Sequence, residues 1–228
     1  MKQLSPYVEC GDNKVRVNYI PPQISKTILT MVSTIIGIKP YQFSTDEKQY
    51  IEWNYRLFSA IKQSSDKSII LDGSLDMGRL LLLYMSGLFD IKLVYLIRDG
   101  RGVVNSHRKT GYNISSIAKN WTMIQIVAHL IFYKLFKPAK RIKLLYDDIA
   151  VDPVKELKRL CAFLGLEYQD DMLEYASKEH HIIGGNKMRF KKNDKIKHDN
   201  SWKKELSLTQ KLKFAVVGGL VNTLIKKV

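Results

Sequence analysis

Cysteine is nearly absent: Cys10 and Cys161 are the only two in 228 residues. That excludes a disulfide framework, and neither thiol stands in a metal-ligand spacing. Cys161 falls on the apolar side of a predicted helix, which suits a buried structural thiol. Long hydrophobic runs are missing too. The longest, residues 80–85 and 214–225, are too short or too interrupted to cross a bilayer, which takes about 20 apolar residues. The first nineteen residues are largely polar and do not read as a signal peptide, so a cytoplasmic soluble protein is expected. No internal repeat, low-complexity tract or linker breaks the chain, and one domain over residues 1–228 is the economical reading. Acid is scarce relative to base, with 22 Asp and Glu against 37 Lys and Arg, a net charge of +15. The excess favours an anionic partner: a nucleotide, a sulfated or acidic glycan, nucleic acid or a membrane surface. Solubility and a lysine-rich genome explain it equally well, so charge names a sign and no ligand.

What is present alternates between two periods. Val15, Val17 and Tyr19 alternate with polar neighbours over residues 14–20, as in a half-buried or edge strand ended by Pro21-Pro22. Ile24, Ile28, Met31, Val32 and Ile35 form a helical stripe closed by Gly37 and Pro40. Ser44 to Glu47 has capping-box spacing and predicts a helix to about Lys62, with Ile51, Leu57, Phe58 and Ile61 facing inward and Trp53 and Tyr55 as packing residues. Residues 68–71 predict a strand and 77–86 a buried helix. Residues 114–136 carry the longest helical pattern, stopped by Pro138, and 142–146 predict another strand. Asp152-Pro153 gives a helix start, Gly165 its stop, and Ser207 to Gln210 a second capping box before a C-terminal helix. In that helix Gly218-Gly219 either weakens it or permits close packing. Strands alternating with helices predict an α/β fold with a parallel sheet flanked by helices.

Chemistry gathers at strand ends. Residues 93–97 form a short apolar run that stops at Arg98-Asp99-Gly100-Arg101-Gly102, with a helix expected from about Val103 and Ser106 one turn inside it. Backbone N–H groups and the positive end of the helix dipole would then face whatever Arg98 and Ser106 hold, an arrangement that suits a phosphate. An ordinary βα turn with Arg98 in a surface ion pair fits the same residues. Two further predicted strands also end in polar residues, Asp72 and Ser74 after one, Tyr146 and Asp147 after the other. In an open parallel sheet such ends line the edge where ligands bind. Together they describe a phosphorylated ligand in an α/β crevice, with the chemistry unspecified.

Residues 93–109, LVYLIRDGRGVVNSHRK, resemble the 3′-phosphate-binding segment of sulfotransferases that use 3′-phosphoadenosine 5′-phosphosulfate (PAPS). Ile70-Leu71-Asp72-Gly73-Ser74 is similar to the family's upstream strand. Residues 144–149, Asp152-Pro153 and Phe163-Leu164-Gly165 resemble its Y-E-D-L…D-P…F-L-G stretch. Residues 181–189, followed by Trp202, are similar to the C-terminal loop of bacterial and carbohydrate-type members. The likeness covers about residues 68–205, in order. It implies a three-layer, P-loop-NTPase-like parallel sheet flanked by helices. It implies a transferase that moves a sulfuryl group from PAPS to a hydroxyl of a carbohydrate or small-molecule acceptor, with no metal. Arg98 and Ser106 would hold the 3′-phosphate, and Arg189 and Lys187 would add positive charge. Tyr146 would either touch the nucleotide or pack beneath it. Asp72 would be the base or merely cap its turn, and Ser74 would contact phosphosulfate oxygens or cap the next helix. The adjacent His180 and His181 are assigned no role.

One family feature has no counterpart. The N-terminal strand and Gly/Ser/Thr-rich loop that cradle the 5′-phosphosulfate are not found in residues 1–67, and Gly73 stands where some members carry a Lys. The expectation is a chain truncated or misstarted within the domain. A second reading is a catalytically impaired PAP(S)-binding homologue. A third is a basic nucleic-acid-binding protein, motivated by net charge and the lysine-rich stretch 186–204.

Overall fold

Two five-residue strands set the frame of the site. β3 (Leu93–Ile97) and β4 (Arg141–Leu145) pair in parallel, with Leu93 opposite Arg141 and Ile97 opposite Leu145. Their carboxyl ends are therefore level, and Arg98 and Tyr146 leave the sheet side by side. The computed structural model describes residues 7–10, 13–16, 33, 34, 37, 41–65, 67–109, 111–174 and 198–227. They divide into two compact units, Met1–Asp90 and Ile91–Val228.

In the first unit, β1 (Tyr7–Cys10) and β2 (Asn13–Arg16) form an antiparallel hairpin. The strand expected over 14–20 is present as far as Arg16, and the stripe over 23–36 lies almost wholly outside the described residues. Helix α1 (Thr45–Ser64) starts at the Ser44–Glu47 capping box, as its spacing predicted. Ile51 is buried, but Leu57, Ile61, Trp53 and Tyr55 are exposed, so the inward stripe is narrower than expected. Tyr55 and Phe58 instead meet Phe89 edge-on. Helix α2 (Met77–Met85) buries Gly78 and Leu81 to Leu83. Residues 68–71 do not form a strand. They are irregular, mostly exposed chain with no ladder partner among the described residues, and an apolar run without a partner cannot satisfy a strand's backbone groups.

The second unit carries the main core. Helix α3 (Gly100–Arg108) follows β3. Helix α4 (Ile114–Leu130) continues through a π turn (Ile131–Leu135), and Asn113 caps it. After a 3₁₀ turn (Pro138–Lys140) and β4 come α5 (Tyr146–Val151) and α6 (Pro153–Leu164). Asp152 caps α6, Gly165 ends it at φ 77°, and the Lys92 ammonium donates to its last carbonyls at Phe163 and Leu164. A 3₁₀ turn (Asp170–Leu173), α7 (Trp202–Glu205), α8 (Leu208–Phe214), a π turn (Ala215–Gly219) and α9 (Leu220–Lys227) complete the unit. Tyr95, Ile97, Val104, Ala118, Trp121, Phe132, Phe214 and Ile225 make one buried cluster, so the last helix is part of the core. Cys161 is buried, as predicted. The described strands thus give a mostly helical mixed α/β fold with a small parallel sheet.

Two glycines allow the close approaches that hold the C-terminal helix in place. A Cβ on Gly100 would lie 2.5 Å from the Phe214 ring and 2.9 Å from the Trp121 ring; one on Gly218 would lie 2.8 Å from the Thr122 hydroxyl. The glycine pair in that helix therefore serves packing, at Gly218. A methyl group forced between two buried rings costs about 1–3 kcal/mol. Gly100→Ala should lower the thermal midpoint by several degrees. Gly73→Ala, with nothing within 4 Å of its Cβ, should stay within about 0.5 kcal/mol of the parent in the same denaturation series.

Candidate functional site

The level strand ends bring Arg98 and Tyr146 into contact, with the guanidinium carbon 5.0 Å from the ring centroid. Helix α3 starts at Gly100 rather than near Val103, because the Asp99 side chain caps it by accepting from the Arg101 N–H. Ser106 therefore lies in the second turn, and it is exposed. It still shares a face with the arginine: the Arg98 guanidinium lies against Gly102, and residues 102 and 106 are one helical turn apart.

Arg98 also has a carboxylate partner that the sequence did not announce. Its Nη2 donates to Asp199 Oδ2 at 2.8 Å, and both side chains are about one-third exposed. Asp199 accepts the Ser201 N–H at 3.0 Å, and this together with the Arg98 charge holds its carboxyl below the ordinary value despite some burial. The surface ion pair allowed for Arg98 is thus present. The pair does not exclude a phosphate, because both side chains remain open to solvent.

The helix N-terminus departs more sharply from expectation. The Gly100 N–H donates to Asn222 Oδ1 at 2.8 Å and the Arg101 N–H to Asp99 Oδ1 at 2.8 Å. The first two donors that were to face a phosphate are used internally. Asp99 is buried and also accepts from the Arg101 side chain at 2.6 and 3.0 Å and from the Lys226 ammonium at 2.6 Å. Burial alone would push its carboxyl upward; the hydrogen bonds from Arg101 and Lys226 outweigh that and hold it far below the usual carboxylate range. Arg101 stacks on Trp202 at 3.8 Å. Asn105 donates to Ser201 Oγ and Glu205 Oε2, and Lys109 pairs with Glu205 at 2.7 Å. Residues 199–205 are in this way fastened along α3.

Asp147, after Tyr146, meets His198 Nε2 at 3.2 Å and lies 3.8 Å from the Lys226 ammonium. His198 was not singled out from sequence, because neither a motif nor a periodicity marks it. Its proximity to Asp147 comes from the turn leading into α7.

Asp72 and Ser74 belong to the first unit. Asp72 Oδ2 accepts from Arg79 Nε at 2.7 Å and Oδ1 from the Ser74 N–H at 3.0 Å, the geometry of a capped turn. Burial raises its pKa, but the bonds from Arg79 and Ser74 prevail, leaving it below the ordinary value and a weaker proton acceptor. Ser74 does not cap the next helix, since Asp76 does. Lys187, Arg189, His180 and His181 lie outside the described residues. Among the described residues no three His, Cys, Asp or Glu side chains are grouped to hold a metal ion, and no helix is long and apolar enough to cross a membrane.

Comparison with known proteins gives two partial likenesses. A Caenorhabditis briggsae protein named "Putative protein-tyrosine sulfotransferase" is 33% identical over 101 residues, 41% of this chain and 34% of that protein. Translation initiation factor 1A of Methanothermobacter thermautotrophicus is 33% identical over 48 residues, 21% of this chain and 48% of that protein. The chain therefore spans about a third and about half of the lengths of these relatives. No family profile matches the chain, and no solved structure does. A distant sulfotransferase-like resemblance is what the comparisons support.

Asp99 dominates the electrostatics of this edge, and its low folded-state pKa fixes the sign of a pH effect. Its stabilising contribution is complete above its unfolded pKa of about 3.9 and is lost as pH falls towards the folded value. Urea midpoints should therefore drop below about pH 4 in the parent, and less steeply in Asp99→Ala. At neutral pH that variant removes the carboxylate shared by Arg101 and Lys226, leaving Lys226 only the more distant Asp147, and should lose about 3 kcal/mol.

Proposed function

We propose that the chain is a sulfotransferase-like nucleotide-binding protein that transfers a sulfuryl group from PAPS to a hydroxyl. The observation that carries this is the placement of Arg98. It projects from the carboxyl end of a parallel strand, stacks on Tyr146 from the neighbouring strand end, and shares a helix face with the exposed hydroxyl of Ser106. A guanidinium and a hydroxyl so placed fit a phosphate. The sulfotransferase-named relative supports the same reading over 101 residues.

In this proposal Arg98 and Ser106 bind the 3′-phosphate, Tyr146 supports the guanidinium from beneath, and Lys187 and Arg189 add positive charge. PAPS supplies the sulfuryl group: the acceptor oxygen bonds to sulfur, the bond from sulfur to the 5′-phosphate oxygen breaks, and the acceptor proton passes to a base. Asp72 is proposed for that base and Ser74 for contact with the phosphosulfate. Because Arg79 lowers its basicity, Asp72 would serve best where the attacking hydroxyl loses its proton late. The proposed setting is a single P-loop-like, three-layer domain over residues 1–228, in the cytoplasm. A carbohydrate or small-molecule hydroxyl is the proposed acceptor, and the relative's name adds a tyrosyl hydroxyl to the acceptors worth testing.

The buried pairing at the N-terminus of α3 and the held Asp72 favour a second reading, a homologue that binds PAP(S) without transfer. The third, a nucleic-acid-binding protein, draws on the +15 charge and the initiation-factor likeness.

Titration with 3′,5′-ADP (PAP) separates these readings. Saturable binding that weakens about 10- to 100-fold in Arg98→Ala is expected, the equivalent of one charge-assisted contact. Absent binding, or binding indifferent to Arg98, overturns both sulfotransferase readings and leaves RNA titration as the next measurement. Movement of labelled sulfate from PAPS to any hydroxyl then distinguishes enzyme from binder. Asp199 competes with the phosphate for Arg98, so Asp199→Asn should tighten PAP binding by about two- to fivefold, in keeping with the small worth of a half-exposed pair.

A further inference from the structure

The C-terminal helix, residues 208–227, has two unlike faces. Phe214, Gly218, Asn222 and Ile225 are buried against α3 and α4. On the other side Leu208, Leu212, Val216, Leu220 and Leu224 are 73%, 56%, 87%, 73% and 50% exposed. Isolated exposed apolar side chains are ordinary, but five at every fourth position of one helix form a continuous stripe. In an unbroken α-helix a four-residue repeat rotates about 40° at each step and would spiral around the axis. The π turn at Ala215–Gly219 places more residues in one turn and counters that rotation midway along the stripe.

Charge selects the occupant. Residues 208–227 contain four lysines and no acid. Lys213, three residues before Val216, and Lys227, three after Leu224, flank the stripe, and both are exposed. Lys203 and Lys204 of α7, also exposed, precede it. A second copy of a +15 chain would bring like charges against like. A surface of anionic lipid meets both requirements, taking the leucines at the acyl boundary and the lysines at the head groups.

We infer that the outer face of residues 208–227 is an interfacial membrane-binding surface that docks on anionic lipid, lying on the bilayer without crossing it. This holds whether or not the chain transfers sulfate.

The test is co-sedimentation of the full chain with phosphatidylcholine vesicles, with and without phosphatidylserine. The parent should sediment with the serine-containing vesicles, less so at high salt, and remain in solution with phosphatidylcholine alone. The combined variant Leu212→Gln, Val216→Gln and Leu220→Gln, on exposed positions, should lose at least about tenfold in partitioning while keeping its circular dichroism. A second variant, Val216→Trp, should show blue-shifted emission on adding the same vesicles. A parent that stays in solution with phosphatidylserine, a folded triple variant that sediments as well as the parent, or an emission unmoved by vesicles overturns the inference. So does a dimer of the parent, by sedimentation equilibrium, that the triple variant abolishes, since the stripe then belongs to a second copy.

Discussion

The Asp99 carboxylate, buried at the end of β3, ties together elements far apart in the chain. It caps α3 through the Arg101 N–H, neutralises the Arg101 side chain, and accepts from Lys226 of the last helix. Asn222, one turn before Lys226, completes the joint by taking the Gly100 N–H. An uncompensated charge in this position would be costly, so strand, helix start and C-terminal helix have to be set together. The glycine at position 100 follows from the same joint, because Phe214 approaches too closely for a side chain.

A consequence reaches the candidate site. Helix starts attract anions through free N–H groups, but here the first two are spent on internal oxygens. A phosphate as proposed would therefore rest on the Arg98 side chain rather than on the backbone. Arg98 is itself paired, yet with a partner exposed enough that water screens the attraction. A dianionic phosphate offers more charge and more acceptor oxygens than Asp199 does, so exchange of one for the other is favourable in sign.

The local elements were legible where the signal was local. The capping boxes at Ser44 and Ser207, the Asp152-Pro153 start, the Gly165 stop and the helix α4 all appear as their residues predict, although Ile124 on the expected inner stripe of α4 is exposed. Residues 68–71 misled because β-forming residues specify a strand only when a partner supplies the ladder, and a run of four residues cannot reveal whether one exists. In 98–102 the glycines read as a turn, whereas they lie in the first turn of α3, where Gly100 allows the close approach of Phe214. Asp199, His198 and Asn222 could not be found at all. Their roles depend on contacts with residues 50 to about 120 positions away, and such pairings leave no spacing to read.

The last helix shows how one segment can meet two independent demands. Its inner face is constrained atom by atom through Phe214, Gly218, Asn222 and Lys226. None of the five apolar residues on the outer face contributes to the buried cluster. The buried cluster therefore sets no requirement for leucine or valine at those five positions, and polar residues there would serve solubility better. An apolar stripe kept in line by a π turn, in a segment stripped of acids, is more economically explained by something it meets than by the fold it caps.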